Sequence, residues 1–365
     1  MIDKLLGIDR PAPLVAAAAC ALLVSVFLVL TKRHHGHLTM DSPVGVQKVH
    51  THPTPRIGGV GIYLGLLLAW AFVRNPVVKD TIGILLLAGI PALACGLLED
   101  VTKKVGVLPR LLATMASSVL AWLLTGIALN RLDVHGLDWL LTVTPIAVMF
   151  TAIAVSGVAN AINIIDGFHG LASGTTIIAL LALAAIATRV GDPELARVCF
   201  IVAAAVAGFW LVNYPWGKIF LGDGGAYFVG FALAWLAVLL PMRNPEVSAW
   251  ASMLVCAYPV IEVLYSMARR RIKRQSPGAP DSRHLHSLIK TNLIRKKLPR
   301  VNRGMQNAFV SPIIWAFTVL PAMGAVALFN QPGLLVSAVA ACAVVYHLAY
   351  QYLRQTGAHE PARSR

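Results

Sequence analysis

The feature that most limits this chain is a series of long, unbroken apolar runs. They recur near 12–31, 57–73, 81–98, 108–129, 139–158, 171–188, 195–213, 225–241, 247–267, 308–328 and 333–353. About twenty residues at ~1.5 Å each cross roughly 30 Å of hydrocarbon, where a backbone must satisfy its own hydrogen bonds. Continuous runs select helices, since a membrane barrel uses ~10-residue strands of alternating polarity. Composition agrees: 57% of residues are hydrophobic, only 13% are charged, and mean hydropathy is +0.71. A soluble globule carries about 25% charged residues. Disordered chain, coiled coil and secreted disulfide scaffold are excluded. The pattern predicts an all-α polytopic integral membrane protein, with about eleven transmembrane helices in a single domain, 1–365. The first run has a charge-balanced flank (Asp3, Lys4, Asp9, Arg10) and ten runs follow it, so it is expected to be a retained span.

Sorting the basic residues assigns a side. One set of segments, 32–56, 99–110, 159–170, 214–224, 268–303 and the tail from 354, holds 23 of the 31 Lys and Arg; the alternate set holds 8. The positive-inside bias places the first set in the cytoplasm, with the N-terminus outside and the C-terminus inside. The outer loops are short, so chemistry is expected at the cytoplasmic face, and 32–56, 99–110, 159–170, 214–224 and 268–303 are expected to form the active site. The formal charge of +15 would suggest nucleic acid in a soluble chain; here it reads as topogenic, with membrane lipids as partners and no nucleic acid. The five cysteines form no CxxC pair and read as small apolar residues.

With only sixteen carboxylates, their placement is informative. Asp41, Glu99, Asp100, Asp166, Asp223, Asp281 and Glu360 fall on the cytoplasmic side. Glu99 and Asp100 close the third run in GLLEDVTKK, Asp166 follows the fifth in NAINIIDGFHGLASG, and Asp223 precedes the eighth in NYPWGKIFLGDGGAYFVG. Acids beside hydrocarbon are costly unless paired, solvated or metal-bound. The flanking glycines let backbone approach a ligand closely.

Hard oxygen donors suit Mg²⁺, with Mn²⁺ as the alternative ion, and such an ion takes one or two protein carboxylates with phosphate oxygens and water. Basic residues hold further phosphate charge: Lys48, His50, His52 and Arg56 in the first loop, and Arg269, Arg270, Arg271, Lys273 and Arg274 ahead of Arg283, His284 and His286 in the long one. Lys103 and Lys104 either add to this set or snorkel at a span end. The HLH pair, with Arg283 adjoining, reads as phosphate contacts, with metal ligation or a surface position as alternatives. Together these groups describe phosphoryl transfer, in which catalysis is positioning and charge neutralisation. No HExxH supports a zinc hydrolase. Glu262, inside the ninth run, either pairs with a neighbouring polar group or contacts substrate.

From Asp41 to about Ser287 the constellation resembles the polyprenyl-phosphate N-acetylhexosamine-1-phosphate transferases. These initiate O-antigen and other surface glycans and include the phospho-MurNAc-pentapeptide translocase. The resemblance implies that undecaprenyl phosphate attacks the β-phosphate of a UDP-N-acetylhexosamine with Mg²⁺ present, releasing UMP at the bacterial inner membrane. It implies Glu99-Asp100 as the acidic pair, with Asp100 activating the lipid phosphate. Asn160, Asn163 and Asp166 would form a nucleotide- and metal-facing loop, with Asp166 catalytic and Asn163 reaching the metal. Asp223 would be the metal ligand, Phe220 a ring stacked on uracil, and Asn213 an upstream polar residue of that site. Lys48, His284 and His286 would meet substrate, and Arg283 adjoins them as a further candidate contact. A homodimer is compatible with the resemblance.

Three departures stand out: Glu99-Asp100 where the family usually has Asp-Asp, His169 in DGFHG where it has a second Asp, and Ser287 where it has a further histidine. They favour an O-antigen-type initiator over the peptide-bearing substrate. His169 is retained as a candidate substrate contact. A transporter or flippase of a lipid-linked anion is the main rival; it expects spans broken mid-membrane, and no such Gly/Pro pattern is evident. A lipid-phosphate phosphatase would need a basic stretch that is absent.

Overall fold

A computed structural model describes residues 11–41, 53–272, 274 and 283–358. Lys48, His50, His52, Lys273, Asp281 and Glu360 lie outside the described residues. Each apolar run is helical. The elements are α1 (Ala12–Leu30), α2 (Lys32–Thr39), β1 (Met40–Asp41), β2 (Thr54–Pro55), α3 (Gly58–Phe72), α4 (Pro76–Ala88), α5 (Ile90–Thr102), α6 (Val107–Thr125), α7 (His135–Leu141), α8 (Thr144–Ile165) and α9 (Leu171–Arg189). They continue with α10 (Pro193–Asn213), α11 (Gly222–Arg243), α12 (Ala249–Val255), α13 (Ala257–Ile272), α14 (Leu285–Leu288), a π-helix (Ile289–Ile294), α15 (Arg295–Lys297), α16 (Arg303–Leu328) and α17 (Pro332–Ala358).

Eight of these helices are long and apolar enough to span a membrane, and up to ten spans result if the bent pairs α4–α5 and α12–α13 each count as one. The 15-residue α3 is apolar but shorter than a full span. The expected eleven thus stands as eight to ten. The two breaks also correct the expectation of uninterrupted spans: α4–α5 bends by 41° and α12–α13 by 77°. At the first, Gly89 precedes Ile90-Pro91, and proline cannot donate back into the preceding turn. The fifth run, expected over 139–158, is instead split. The short α7 ends before Val143, and α8 starts at Thr144 with Pro145 in its first turn, where a missing N–H costs nothing.

Local capping sets other starts. Asn75 accepts from the Val78 N–H at 3.1 Å, Asp192 from Leu195 at 3.0 Å and Asn302 from Met305 at 2.8 Å, each satisfying an amide that has no partner within the helix. At the centre is α11, buried along nearly its whole length and packed by α3, α5, α8, α9 and α10. Peripheral α1, α16 and α17 instead expose Phe27, Leu320 and Leu348, as lipid-facing helices do.

Small residues make the closest packing possible. A Cβ on Gly59 would fall 2.1 Å from the Gly225 Cα, and one on Gly96 2.5 Å from the Gly224 Cα. Backbones of α3 and α5 therefore lie directly against the first turn of α11. A two-residue antiparallel ladder, Met40 to Pro55 and Asp41 to Thr54, closes the segment ahead of α3.

Candidate active site

The first turn of α11 is where the sequence motifs meet. Gly222 has φ 76°, a left-handed value that an L side chain rarely adopts, and a Cβ there would strike the Arg56 carbonyl oxygen and the Asp100 carboxylate. Asp223, expected just before a span, lies inside this turn. Its Oδ1 accepts from Arg56 Nη2 at 3.1 Å and from Asn163 Nδ2 at 3.1 Å. Its Oδ2 accepts from Arg110 Nη1. The Arg110 guanidinium also sits 5.8 Å above the Tyr227 ring. Asp223 is thus held by α8, α6 and the segment entering α3.

Asp100 joins the same corner in a different way. Its Oδ1 accepts the Asp223 N–H at 2.8 Å and its Oδ2 the Gly224 N–H at 2.9 Å, with Arg56 Nη2 at 3.6 Å. It is 0% exposed. A carboxylate on two amides of a helix start meets both the unpaired donors and the positive end of the dipole. Each oxygen accepts one of these amides and keeps a further lone pair, so Asp100 braces the start of α11 from a buried position beside Asp223. Glu99 caps its own loop. Its Oε2 accepts the Val105 N–H at 2.7 Å and closes the turn after α5.

Asp166, just past the end of α8, is half-buried. Burial pushes its carboxyl up to about 7, with Asp223's charge adding to the rise, while Arg56 and the Gly222 amide oppose it. Asn160, near the end of α8, accepts from the Tyr227 hydroxyl at 3.3 Å. Asn163 donates to Asp223 through Nδ2, a contact that does not engage its amide oxygen.

Asn213 and His169 bracket the loops on either side of this corner. Asn213 Oδ1 accepts the Gly170 N–H at 2.6 Å and its Nδ2 donates to the Ile219 carbonyl at 2.7 Å. His169 Nδ1 lies 2.9 Å from the Pro215 carbonyl oxygen, and the His169 carbonyl accepts from Ser311 Oγ at 2.6 Å. Both residues are buried and tie the loop after α8 to the loop before α11. Phe220, between them and α11, is half-buried with its ring 6.2 Å from that of His169. Its backbone donates to Pro55 and accepts from Gly58, which fastens β2 and α3 to the site.

A second polar centre surrounds Glu262. His284 Nδ1 lies 3.0 Å from Oε1 and His286 Nδ1 3.8 Å from Oε2, while the Leu285 N–H donates to both oxygens. The Tyr258 hydroxyl lies 3.4 Å from Oε2 and 3.3 Å from His286 Nδ1. Glu262 therefore pairs with neighbours, one of the two alternatives left open, and the HLH pair is held by it. The His286 ring meets the edge of Phe168 at 5.4 Å, two residues from Asp166, so the two centres adjoin. Arg283 is exposed and lines a different cavity.

Sequence reasoning missed Arg110 and Lys290. An arginine in the first turn of an apolar run has an ordinary snorkelling explanation and gives no signal. Lys290 is buried in the π-helix with Nζ 5.6 Å above Phe168, and burial plus Arg295 and Arg303 push its ammonium down to about 8.

Among the described residues no three Asp, Glu, His or Cys side chains are placed to hold one ion together. Mg²⁺ needs only one or two protein carboxylates. Asp223 and the half-buried Asp166, whose carboxyl is raised by burial and further by the charge of Asp223, fit that demand.

Residues 82–241 match the sequence model described as "Glycosyl transferase family 4". That stretch carries Glu99, Asp100, Arg110, Asn160, Asn163, Asp166, Asn213, Phe220 and Asp223. The chain is 28% identical over 256 residues to a "Probable undecaprenyl-phosphate N-acetylglucosaminyl 1-phosphate transferase" of Bacillus subtilis, covering 68% of each chain. It is 25% identical over 273 residues to an "Undecaprenyl-phosphate alpha-N-acetylglucosaminyl 1-phosphate transferase" of Escherichia coli strain K12, covering 73% of this chain and 74% of that one. The protein of that name from Yersinia pestis is 26% identical over 257 residues, 68% and 69% of the two chains.

Proposed function

We propose that this chain, whose residues 82–241 match the glycosyl transferase family 4 model, belongs to that family and transfers N-acetylhexosamine-1-phosphate from a UDP-sugar to undecaprenyl phosphate. The reaction site faces the cytoplasm at the bacterial inner membrane, and the product starts a lipid-linked surface glycan of the O-antigen kind. An oxygen of the lipid phosphate bonds to the β-phosphorus of the UDP-sugar, the bridge from that phosphorus to the α-phosphate breaks, and UMP leaves with the bridging oxygen. The observation that carries this reading is Asp223, clamped by Arg56, Arg110 and Asn163 at the start of α11 with Asp166 beside it.

Donor and acceptor are both anionic, so their encounter is opposed by repulsion. Arg56 and Arg110 neutralise Asp223 and are placed to turn planar guanidinium edges toward arriving phosphate oxygens. Asp100 keeps the α11 amides and Asp223 in register. With a carboxyl near 7, Asp166 is poised to hold or release a proton at neutral pH. Asp223 and Asp166 would hold Mg²⁺, which neutralises phosphate charge when bound. The Glu262 centre keeps His284 and His286 against the Asp166 loop, on the side from which the charge of a substrate phosphate would be met.

The test uses the purified chain with undecaprenyl phosphate, Mg²⁺ and a panel of UDP-N-acetylhexosamines, reading UMP. UMP formed only when lipid phosphate is present supports the transfer. Its absence with every donor, from protein that stays monodisperse, would overturn it.

A further inference from the structure

A cavity of 690 Å³ lies away from the Asp223 corner, lined by Arg269, Arg283, Asn292, Tyr350, Gln351 and Arg354 among other residues. The three guanidinium groups come from separate elements: the end of α13, the segment before α14, and the end of α17. Arg56, Asp100, Arg110, Asp166 and Asp223 are not among its lining residues.

The walls are held in place by contacts of their own. Arg269 Nη2 donates to Ser266 Oγ at 3.2 Å, and the guanidinium stands 5.8 Å from the centre of the Tyr350 ring. Tyr265 packs its ring 4.7 Å from Tyr350, and its hydroxyl lies 3.2 Å from His347 Nδ1. Asn292 Nδ2 donates to the Leu353 carbonyl at 2.8 Å, tying the π-helix to α17. The basic groups are therefore presented on a braced frame.

The same two helices leave apolar side chains uncovered: Leu264 and Met267 on α13, Leu348 and Tyr352 on α17. On spanning helices such faces meet acyl chains. Arg269 and Arg354 lie in the last turns of those two helices, where a spanning helix meets the headgroup region. A phosphate suits clustered guanidiniums, which donate to it in pairs. A soluble phosphate would use the arginines and leave the apolar faces idle, whereas a lipid uses both.

We propose that this cavity binds the phosphate headgroup of an anionic phospholipid, with its acyl chains lying along α13 and α17. The inference does not rest on the transferase reading and is read out without turnover. The full-length chain in detergent is titrated with phosphatidylglycerol, phosphatidylcholine and inorganic phosphate, and bound lipid is counted by native mass spectrometry. Phosphatidylglycerol is expected to bind in preference to phosphatidylcholine, uncompeted by inorganic phosphate at matched concentration. Losing a charge-assisted contact should weaken binding about tenfold per arginine, so Arg269→Gln with Arg354→Gln should weaken it on the order of a hundredfold. Equal binding of the two lipids, unchanged affinity in the variant, or displacement by inorganic phosphate would each overturn the proposal. Should the double variant fold poorly, a photoreactive phosphatidylglycerol on the unaltered chain decides the matter. Adducts within 264–272, 283–292 or 347–354 support the site, and adducts confined elsewhere, or none, refute it.

Discussion

The Asp100 carboxylate accepts the backbone N–H of Asp223 at 2.8 Å, joining the end of α5 to the start of α11 across 123 residues of sequence. One acid therefore fixes the backbone on which another acid is displayed. The first is fully buried on two backbone amides; the second is met by two arginines and an asparagine. That division of labour underlies the expectations that follow.

Asp223→Asn keeps the size of the side chain and removes its charge. UMP release is expected to fall by about 10²-fold or more, the scale seen when a preorganised electrostatic group is lost. Size-exclusion profile and helicity should stay as they were. Near-normal turnover in this variant would falsify the central role of Asp223.

Asp100→Asn leaves one good acceptor for two amides. Thermal unfolding should show a loss of about 1–3 kcal/mol, together with reduced UMP release. A variant that loses turnover but unfolds like the parent would point to direct chemistry at Asp100 instead.

Arg110→Lys retains a positive charge but not the planar fork, and Arg110→Gln retains neither. Activity should rank parent, Lys, Gln, with the KM for UDP-sugar rising in the same order. Equal activity of the Lys and Gln variants would show that charge at this position is idle.

The carboxyl of Asp166 rises from 3.8 to about 7 on folding. A folded state that binds the proton more tightly gains stability below the unfolded value and loses it as pH climbs. Parent stability should therefore decline, relative to Asp166→Asn, as pH increases from about 4 to about 7. Melting curves of both proteins across that range make the comparison, and parallel pH profiles would contradict the assignment.

Glu262→Gln removes the anion to which His284, His286 and the Leu285 amide are drawn. The segment 283–294 should become more open to protease and to amide exchange, and UMP release should fall. Breaking a buried charge pair on one side typically costs about 3–5 kcal/mol. Unaltered exchange across 283–294 would argue that packing of Leu285 and Ile289 alone docks it.

The amino-acid sequence determined the solvent and the class of fold. Twenty-residue apolar runs admit only helices in hydrocarbon, and the scarcity of carboxylates made Asp100, Asp166, Asp223 and Glu262 stand out. Three of those four then proved to share one corner. What the residues do there was decided by tertiary structure alone. Periodicity and motif spacing cannot say that Glu99 turns to its own loop, that Asn213 and His169 Nδ1 meet backbone, or that Arg110 reaches Asp223. Each of those outcomes is a choice among hydrogen-bond partners brought together from distant parts of the chain. Such choices exist only once α3, α5, α6 and α8 have closed around the glycine-lined start of α11.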